Sequence, residues 1–229
     1  MNLSIIIPTY NEAANIQKLL LHIKSSLFSP KECEIIVVDG GSSDNSIEKA
    51  SAIDNVTVIS SPKGRGVQMN YGAQLAKANT LYFLHADSFP PVHFDKLISE
   101  KIKNNHLAGC FRMEFDSKHI WLQLAGWFTQ FNLKFFRGGD QSLFLNKQLF
   151  NKLGQYPTEH AIFEDFEIIR KLYALKEFTV IQNRIISSSR RYTDNGIATL
   201  QYHYWMMYLK KWFGADTENL LAYYRKNVK

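Results

Sequence analysis

Several features that would classify a chain at once are missing here. Only two cysteines, Cys33 and Cys110, occur in 229 residues; they lie far apart, each inside a strand-like stretch. That is no disulfide framework, and without a Cys/His cluster there is no sign of structural zinc. No run reaches the roughly 18 apolar residues that span a bilayer. The opening Leu3-Ser4-Ile5-Ile6-Ile7-Pro8 is too short and too poor in basic residues for a secretory signal. The expectation is a cytoplasmic chain with reduced thiols. Two phosphate devices are also missing. There is no G-x-x-x-x-G-K-S/T loop, and Gly40-Gly41-Ser42-Ser43 does not supply G-x-G-x-x-G, which removes the warrants for a P-loop NTPase or a dinucleotide dehydrogenase. No Pro/Gly/Ser-rich linker and no internal repeat divides the chain.

What is present is an ordinary globular composition, 45% hydrophobic and 21% charged. The formal charge of +6 admits anionic partners, but the basic residues are dispersed, with only short clusters at Arg190-Arg191 and Lys210-Lys211. No zinc-finger spacing or RNA-binding signature accompanies them. We therefore expect a mildly basic surface and small phosphorylated ligands rather than nucleic acid.

The first half alternates strand and helix signals. Runs rich in Ile, Val or aromatics at Leu3–Pro8, Glu34–Asp39, Val56–Ser60 and Thr80–Leu84 read as strands. Helical segments fall near Ala13–Leu27, Asn45–Ala52, Val67–Ala78 and Val92–Asn104. In the first of these Ile16, Leu19, Leu20 and Ile23 share one face, and Asp44 stands where the second would be capped. This order implies an α/β fold, a mainly parallel sheet flanked by helices. Beyond Leu107 a longer strand at Leu107–Phe115 is expected, with Phe111, Met113 and Phe115 on one face. Next come a helix marked by Trp121, Leu124, Phe128, Phe131 and Phe135, a strand at Gln141–Leu145, and a helix from about Phe163. An aromatic helix over Ile197–Phe213 and a short one from about Thr217 complete the chain. One continuous domain with two functional halves, 1–115 and 116–229, is the simplest organisation.

Open parallel sheets bind ligands at the carboxyl ends of their strands. Three acids stand at three such ends: Glu12 after the first strand, Asp39 closing Val37-Val38-Asp39, and Asp87 closing Phe83-Leu84-His85-Ala86-Asp87. A lone strand-end Asp is usually a cap or turn former; three together suit a diphosphate crevice. A hard cation, Mg²⁺ or Mn²⁺, takes oxygen ligands from one or two carboxylates and substrate phosphates. Asp87 is the best-placed ligand, and Asp39 is better placed to accept hydrogen bonds from a base or ribose.

These segments resemble family 2 glycosyltransferases with the GT-A fold. The resemblance begins with Ser4-Ile5-Ile6-Ile7-Pro8-Thr9-Tyr10-Asn11-Glu12 and Glu34-Ile35-Ile36-Val37-Val38-Asp39-Gly40-Gly41-Ser42-Ser43-Asp44. It continues through Phe83–Asp87, Gly139-Asp140-Gln141 and Phe163-Glu164-Asp165 to Ser189-Arg190-Arg191-Tyr192. His85-Ala86-Asp87 looks like a variant of the family's Asp-x-Asp metal motif with His85 at its first acidic position. Gly64-Arg65-Gly66-Val67-Gln68-Met69-Asn70 and the aromatic C-terminus look most like a bacterial soluble subgroup. The resemblance implies that residues 1–115 bind a nucleotide sugar, commonly UDP-linked, and that residues 116–229 bind a hydroxyl acceptor. Pro8, Thr9, Glu12 and Asp39 would line the nucleotide pocket, with Glu12 near the ribose and Asp39 near the base.

Arg65, between two glycines, is a candidate phosphate contact; the alternative is an exposed loop arginine. The inverting transfer that the family implies needs a carboxylate to take the acceptor's proton, and Asp165 is the candidate. It opens a helix with Phe166, Ile169, Leu172 and Tyr173 on its expected buried face. A plain complement to the helix dipole is the alternative for Glu164 and Asp165. Asp140, Gln141, Glu164, Arg190 and Arg191 are second-rank candidates for the acceptor or diphosphate. Tyr192 stands where processive relatives carry Trp, which argues against polymer synthesis.

Three readings stay open for the aromatic helices: core, homodimer packing, or peripheral membrane contact serving a lipid-linked acceptor. Two rivals to sugar transfer also stand, a catalytically silent nucleotide-sugar sensor and a sugar nucleotidyltransferase. The latter typically has a glycine-rich N-terminal loop where this chain has Pro8-Thr9-Tyr10-Asn11-Glu12.

Overall fold

The computed structural model describes residues 1–138, 141–158 and 164–228. Strands β1 (Leu3–Thr9), β2 (Cys33–Asp39), β3 (Val56–Ser60), β4 (Thr80–Phe83), β5 (Ser88–Phe89), β6 (Ala108–Phe115), β7 (Leu143–Asn146) and β8 (Thr179–Ser187) form one sheet. Its order is β3-β2-β1-β4-β7-β6-β8-β5. The strands β3, β2, β1 and β4 run parallel. β7 enters antiparallel to both β4 and β6, and β8 runs parallel to β6.

The strand sequences explain why both faces are covered. In β1, Leu3, Ile5 and Ile7 point to one core and Ile6 to the other; in β2, Ile35 and Val37 oppose Ile36 and Val38 in the same way. Near-continuous apolar strands of this kind need helices on each side. Helix α1 (Ile16–Ser26) seals the first face with Ile16, Leu19, Leu20 and Ile23, and α3 (Arg65–Leu75) seals the second with Met69 and Ala73. Between them come α2 (Ser46–Ser51) and, later, α4 (Phe94–Lys103). Asp44 lies one residue before the cap position of α2 and still serves it: its carboxylate accepts from Ser46 N and, across the gap, from Ala13 N, both at 3.0 Å.

The second half departs further from expectation. The helix predicted through Phe135 stops at Phe128 as α5 (Ile120–Phe128). Thr129 ends it: its hydroxyl donates to Gly126 O (2.6 Å) and accepts from Met113 N (2.8 Å). The guanidinium of buried Arg137 then takes the carbonyls of Thr129 and Phe131. The face of α5 turned to the sheet is Leu122 and Gly126, whereas Trp121, Leu124, Phe131 and Phe135 are exposed. β8 was not foreseen at all. Its polar Gln182-Asn183-Arg184 interrupts the alternation, and the register with β6 shifts between Phe111 and Arg112. The chain continues through α6 (Lys147–Lys152), α7 (Glu164–Ala174), α8 (Arg190–Asn195), α9 (Ile197–Trp212) and α10 (Thr217–Asn227). Both cysteines are free; burial pushes the Cys33 thiol up to about 12 and the Cys110 thiol up to about 11.

Candidate functional site

The parallel register pairs Thr9 with Asp39 at the ends of β1 and β2. β4 pairs with β1 only as far as Ile6↔Phe83, so Pro8 lies past the last paired position on that side, where its missing N–H costs nothing. Tyr10–Glu12, Gly40–Asp44 and Leu84–Asp87 all leave along this edge, the convergence expected from the strand order.

One side chain that sequence reasoning passed over holds the edge together. Buried Gln68 of α3 donates through Nε2 to Thr9 O and Val38 O, both at 2.8 Å. A Cβ on residue 40 would meet the Gln68 amide at 3.0 Å, which accounts for glycine at that position. Gln68→Leu would leave two buried carbonyls each short of a donor. We expect a loss of about 1–3 kcal/mol, measurable as a lower denaturant midpoint in urea unfolding. Only the motif Gly64–Asn70 hinted at this residue; its partners are not legible in sequence.

Asp39 is buried and committed to its own turn. Its Oδ2 accepts from Gly41 N (2.8 Å) and Ser42 N (2.9 Å), and Oδ1 accepts from Ser42 Oγ. Beside it the Lys63 ammonium lies 3.7 Å from the Tyr10 ring centroid, a cation and an aromatic face at the mouth of the β1–β2 end.

Glu12 meets Arg190. Oε1 accepts from Arg190 Nη2 at 2.9 Å and Oε2 from Asn15 Nδ2 at 2.8 Å, while its backbone carbonyl receives Asn15 N and Ile16 N at the start of α1. The bond to Glu12, and after it the charge of Asp87, push the Arg190 guanidinium further above its ordinary value. Asp87 is half-buried, and its backbone carbonyl accepts from Ser188 N at 3.2 Å, tying the metal-motif loop to the segment that carries Arg190. His85 is half-buried in the same loop, and Arg191 is exposed on α8.

A second group forms where α3 meets α7. Arg65 is the first residue of α3 rather than a loop arginine. Its Nε donates to Glu164, and Nη2 stands 3.4 Å from Asp165 Oδ2. Glu164 is 0% and Asp165 8% exposed. The buried stripe of α7 is Glu164, Asp165, Ile168, Ile169 and Leu172, not the expected set with Phe166 and Tyr173. The helix is turned so that its first-turn carboxylates continue the buried face. Glu164 Oε2 is buried without a hydrogen-bond partner among the described residues, an arrangement that calls for a further ligand. Tyr156 was also missed. Its hydroxyl is buried in the same place with no hydrogen-bond partner among the described residues, and burial first, then the charges of Asp165 and Glu164, push its ionisation well above the usual range. Asn70 of α3 clamps the Tyr156 backbone by donating to its O (2.9 Å) and accepting from its N (3.0 Å).

Gln141 faces inward. Its Oε1 accepts from Arg137 Nη1 at 2.6 Å and its Nε2 donates to Phe136 O, so it steadies a buried arginine. Asp140 lies outside the described residues.

The family model for "Glycosyl transferase family 2" matches residues 4–214. The chain belongs to that family. Glycosyltransferase AglE of Haloferax volcanii is 37% identical over 93 residues, 38% of this chain and 31% of the relative, so the match spans under a third of that protein's length. Two solved structures share the fold of this family 2 chain. S. aureus TarS 1-349 in complex with UDP has a TM-score of 0.69 at 20% identity over 82% of this chain and 60% of that one. The mannosyltransferase PcManGT from Pyrobaculum calidifontis, in complex with GDP-Man and Mn²⁺, has a TM-score of 0.65 at 18% identity over 90% and 60%. The α/β architecture with its largely parallel sheet is that of GT-A glycosyltransferases.

The residues of this family 2 chain suit a cation of one kind. Among the described residues no group of three or more His, Cys, Asp and Glu side chains could hold a metal. Glu12 is engaged by Arg190, and Asp87, half-buried at the strand end, carries oxygen donors of the kind a hard cation takes. A cation here would arrive with ligands of its own, the diphosphate oxygens and water. That is how Mg²⁺ is usually held, by one or two carboxylates and substrate phosphates.

Proposed function

We propose that this chain transfers a hexose from a nucleoside diphosphate sugar, UDP-linked by preference, to a hydroxyl acceptor with inversion at the anomeric carbon. The observation that supports it is the division of the carboxyl edge into two carboxylate–arginine groups. One is Glu12, Asp87 and Arg190; the other is Arg65, Glu164 and Asp165. A donor needs the first kind of group at its diphosphate, and an attacking hydroxyl needs the second.

In this reading Asp165 accepts the proton of the acceptor hydroxyl. The acceptor oxygen forms its bond to the anomeric carbon as the bond from that carbon to the diphosphate oxygen breaks, and the electron pair leaves on the nucleoside diphosphate. Arg190 meets the charge that develops there. Arg65 is shared between the base and the phosphates, and the buried Tyr156 hydroxyl, which makes no hydrogen bond among the described residues, is available as a donor beside them. A divalent cation at Asp87, Mg²⁺ or Mn²⁺, would offset the leaving group's charge. Thr9, Pro8 and Asp39 form the nucleotide floor; the base must come to Asp39 through whatever acceptor capacity its turn leaves. Residues 1–115 serve the donor and 116–229 the acceptor in a cytoplasmic chain.

The test is a screen of UDP- and GDP-sugars with Mg²⁺ and Mn²⁺, reading slow release of nucleoside diphosphate in the absence of acceptor. We expect metal-dependent release from one donor. Tight binding of donors without turnover under any acceptor supply would instead favour a silent sensor. Pyrophosphate release from a nucleoside triphosphate and a sugar phosphate would identify a nucleotidyltransferase.

A further inference from the structure

Two helices beside the crevice carry apolar residues toward solvent at helical spacing. On α5, Ile120, Trp121, Leu124 and Trp127 are all exposed, Ile120 to 81%. On α9, Tyr202, Trp205 and Leu209 recur at i, i+3 and i+7, and Phe213 extends the row just past the helix at 83% exposure. Among the described side chains of α9, Leu200 and Met207 are buried. The two rows meet. The Trp121 and Trp205 rings pack edge-to-face with centroids 6.3 Å apart, and Trp121 Nε1 donates to Gln201 Oε1 at 3.4 Å. Leu133 and Phe135, the latter 89% exposed, enlarge the surface beyond α5. An ordinary amphipathic helix hides such a stripe, and a continuous exposed one marks an interaction site.

Charge indicates what covers it. The sequence contains no Asp or Glu from residue 117 to 139 or from 195 to 215, although the chain has 21 of them. Both stretches carry lysines: Lys118 and Lys134 in the first, Lys210 and Lys211 in the second. Lys134 Nζ sits 5.8 Å from the Phe135 ring centroid, a lysine charge beside the exposed aromatic row. Next to Trp127 a cleft of about 280 Å³ opens between Arg112 and Arg184. Arg184 is paired with Glu114 at 2.6 Å, whereas Arg112 Nε is buried without a partner among the described residues. A second copy docked two-fold on this face would bring lysine toward lysine with no carboxylate from either stretch to answer it. Aromatic rings at the level of lipid headgroups, ringed by lysines, fit an anionic bilayer.

We propose that α5 and α9 form a docking face for an anionic lipid bilayer, with Arg112 positioned for a headgroup phosphate. The face adjoins the crevice. Tyr192 of α8 packs on Phe115 at the end of β6 and on Tyr204 of α9, with centroids 5.4 and 6.3 Å away, and Arg190, two residues before it, holds Glu12. Docking would therefore bring the open side of the crevice to the lipid surface. That the acceptor hydroxyl is lipid-borne rests in addition on the transfer reading; the docking does not.

The chain's four tryptophans, Trp121, Trp127, Trp205 and Trp212, all lie in these two acid-free stretches, so tryptophan emission reports on these segments. With the full chain and vesicles of phosphatidylglycerol and phosphatidylcholine we expect flotation, a blue-shifted emission, quenching by brominated acyl chains, and weakening in high salt. Binding to phosphatidylcholine alone should be at least about tenfold weaker, the loss expected when several exposed lysines have no anionic surface to meet. Ile120→Gln with Trp205→Gln and Phe213→Gln should abolish flotation, and Leu75→Gln, exposed on α3, should leave it intact. Lys118→Glu with Lys134→Glu, both at exposed positions, should abolish flotation without threatening the fold. No flotation and no spectral shift with anionic vesicles overturns the proposal. So does a dimer in sedimentation that the same apolar substitutions disperse while lipid binding is absent. Neither readout depends on sugar transfer, so failure here is distinguishable from failure of the transferase reading.

Discussion

Asp165→Asn is expected to lower sugar transfer by about 10²–10⁴-fold, the usual contribution of a positioned general base, while donor affinity changes little. The substitution keeps the size of the side chain and its place in the buried stripe of α7 but removes its ability to take a proton. Glu164 retains its bond from Arg65, so the seat formed by α3 and α7 should persist. Measuring donor affinity by calorimetry beside single-turnover transfer separates the two effects. Wild-type transfer by Asp165→Asn would sink its assignment as the base. A matching loss in Glu164→Gln with Asp165→Asn unaffected would move the role one residue along. Tyr156→Phe is the informative companion. It removes a buried hydroxyl that has no hydrogen-bond partner among the described residues, so a fall in transfer without loss of stability would mark Tyr156 as a positioning residue.

The second large effect concerns Asp87. Asp87→Asn should weaken metal-dependent donor binding at least about tenfold, because a neutral amide is a far poorer ligand for a hard cation than a carboxylate. The charge balance gives the experiment an internal control. Asp87 is one of the carboxylates whose charge bears on Arg190, and removing it leaves that guanidinium less neutralised toward a diphosphate. In chelator, the variant should therefore bind donor as tightly as the wild type or more tightly. With Mn²⁺ the order should reverse. A folding defect would weaken both measurements, whereas a lost metal ligand weakens only one. Equal affinity in both proteins with the metal present would remove Asp87 from the site.

Much of the fold was legible because its signals are local. The apolar runs of β1, β2 and β4, each broken by a helix of suitable length, permit few arrangements besides a parallel sheet. β8 escaped because its ladder with β6 is irregular: the extra residues Gln182 and Asn183, between the partners of Phe111 and Arg112, break the alternation that identifies a strand. The length of α5 was misjudged for a related reason. Phe131 and Phe135 keep helical spacing with Trp121 and Phe128, but Thr129 and Arg137 capture the carbonyls the helix would have used. The exposure of that aromatic row also ran against the rule that helical stripes face the core, a rule with no information about what the other side meets.

For the candidate site, sequence by itself determined which residues stand at the edge. Strand order and chain polarity bring Glu12, Asp39 and Asp87 out at one end of the sheet, and the opening of α7 supplies Glu164 and Asp165. Tertiary structure decided how these acids are grouped and which of them are occupied. Glu12 is taken up by Arg190, 178 positions away in the chain, Asp39 by the backbone of its own turn, and Glu164 by Arg65. Asp165 shares Arg65 with Glu164, and the charge of Asp87 bears on Arg190; proton chemistry is proposed to fall on the first and metal chemistry on the second. Pairings between charges so distant in sequence depend on packing angles between elements, in particular the seating of α3 over β1 and β2 by Gln68, and periodicity along a single segment contains no measure of such angles.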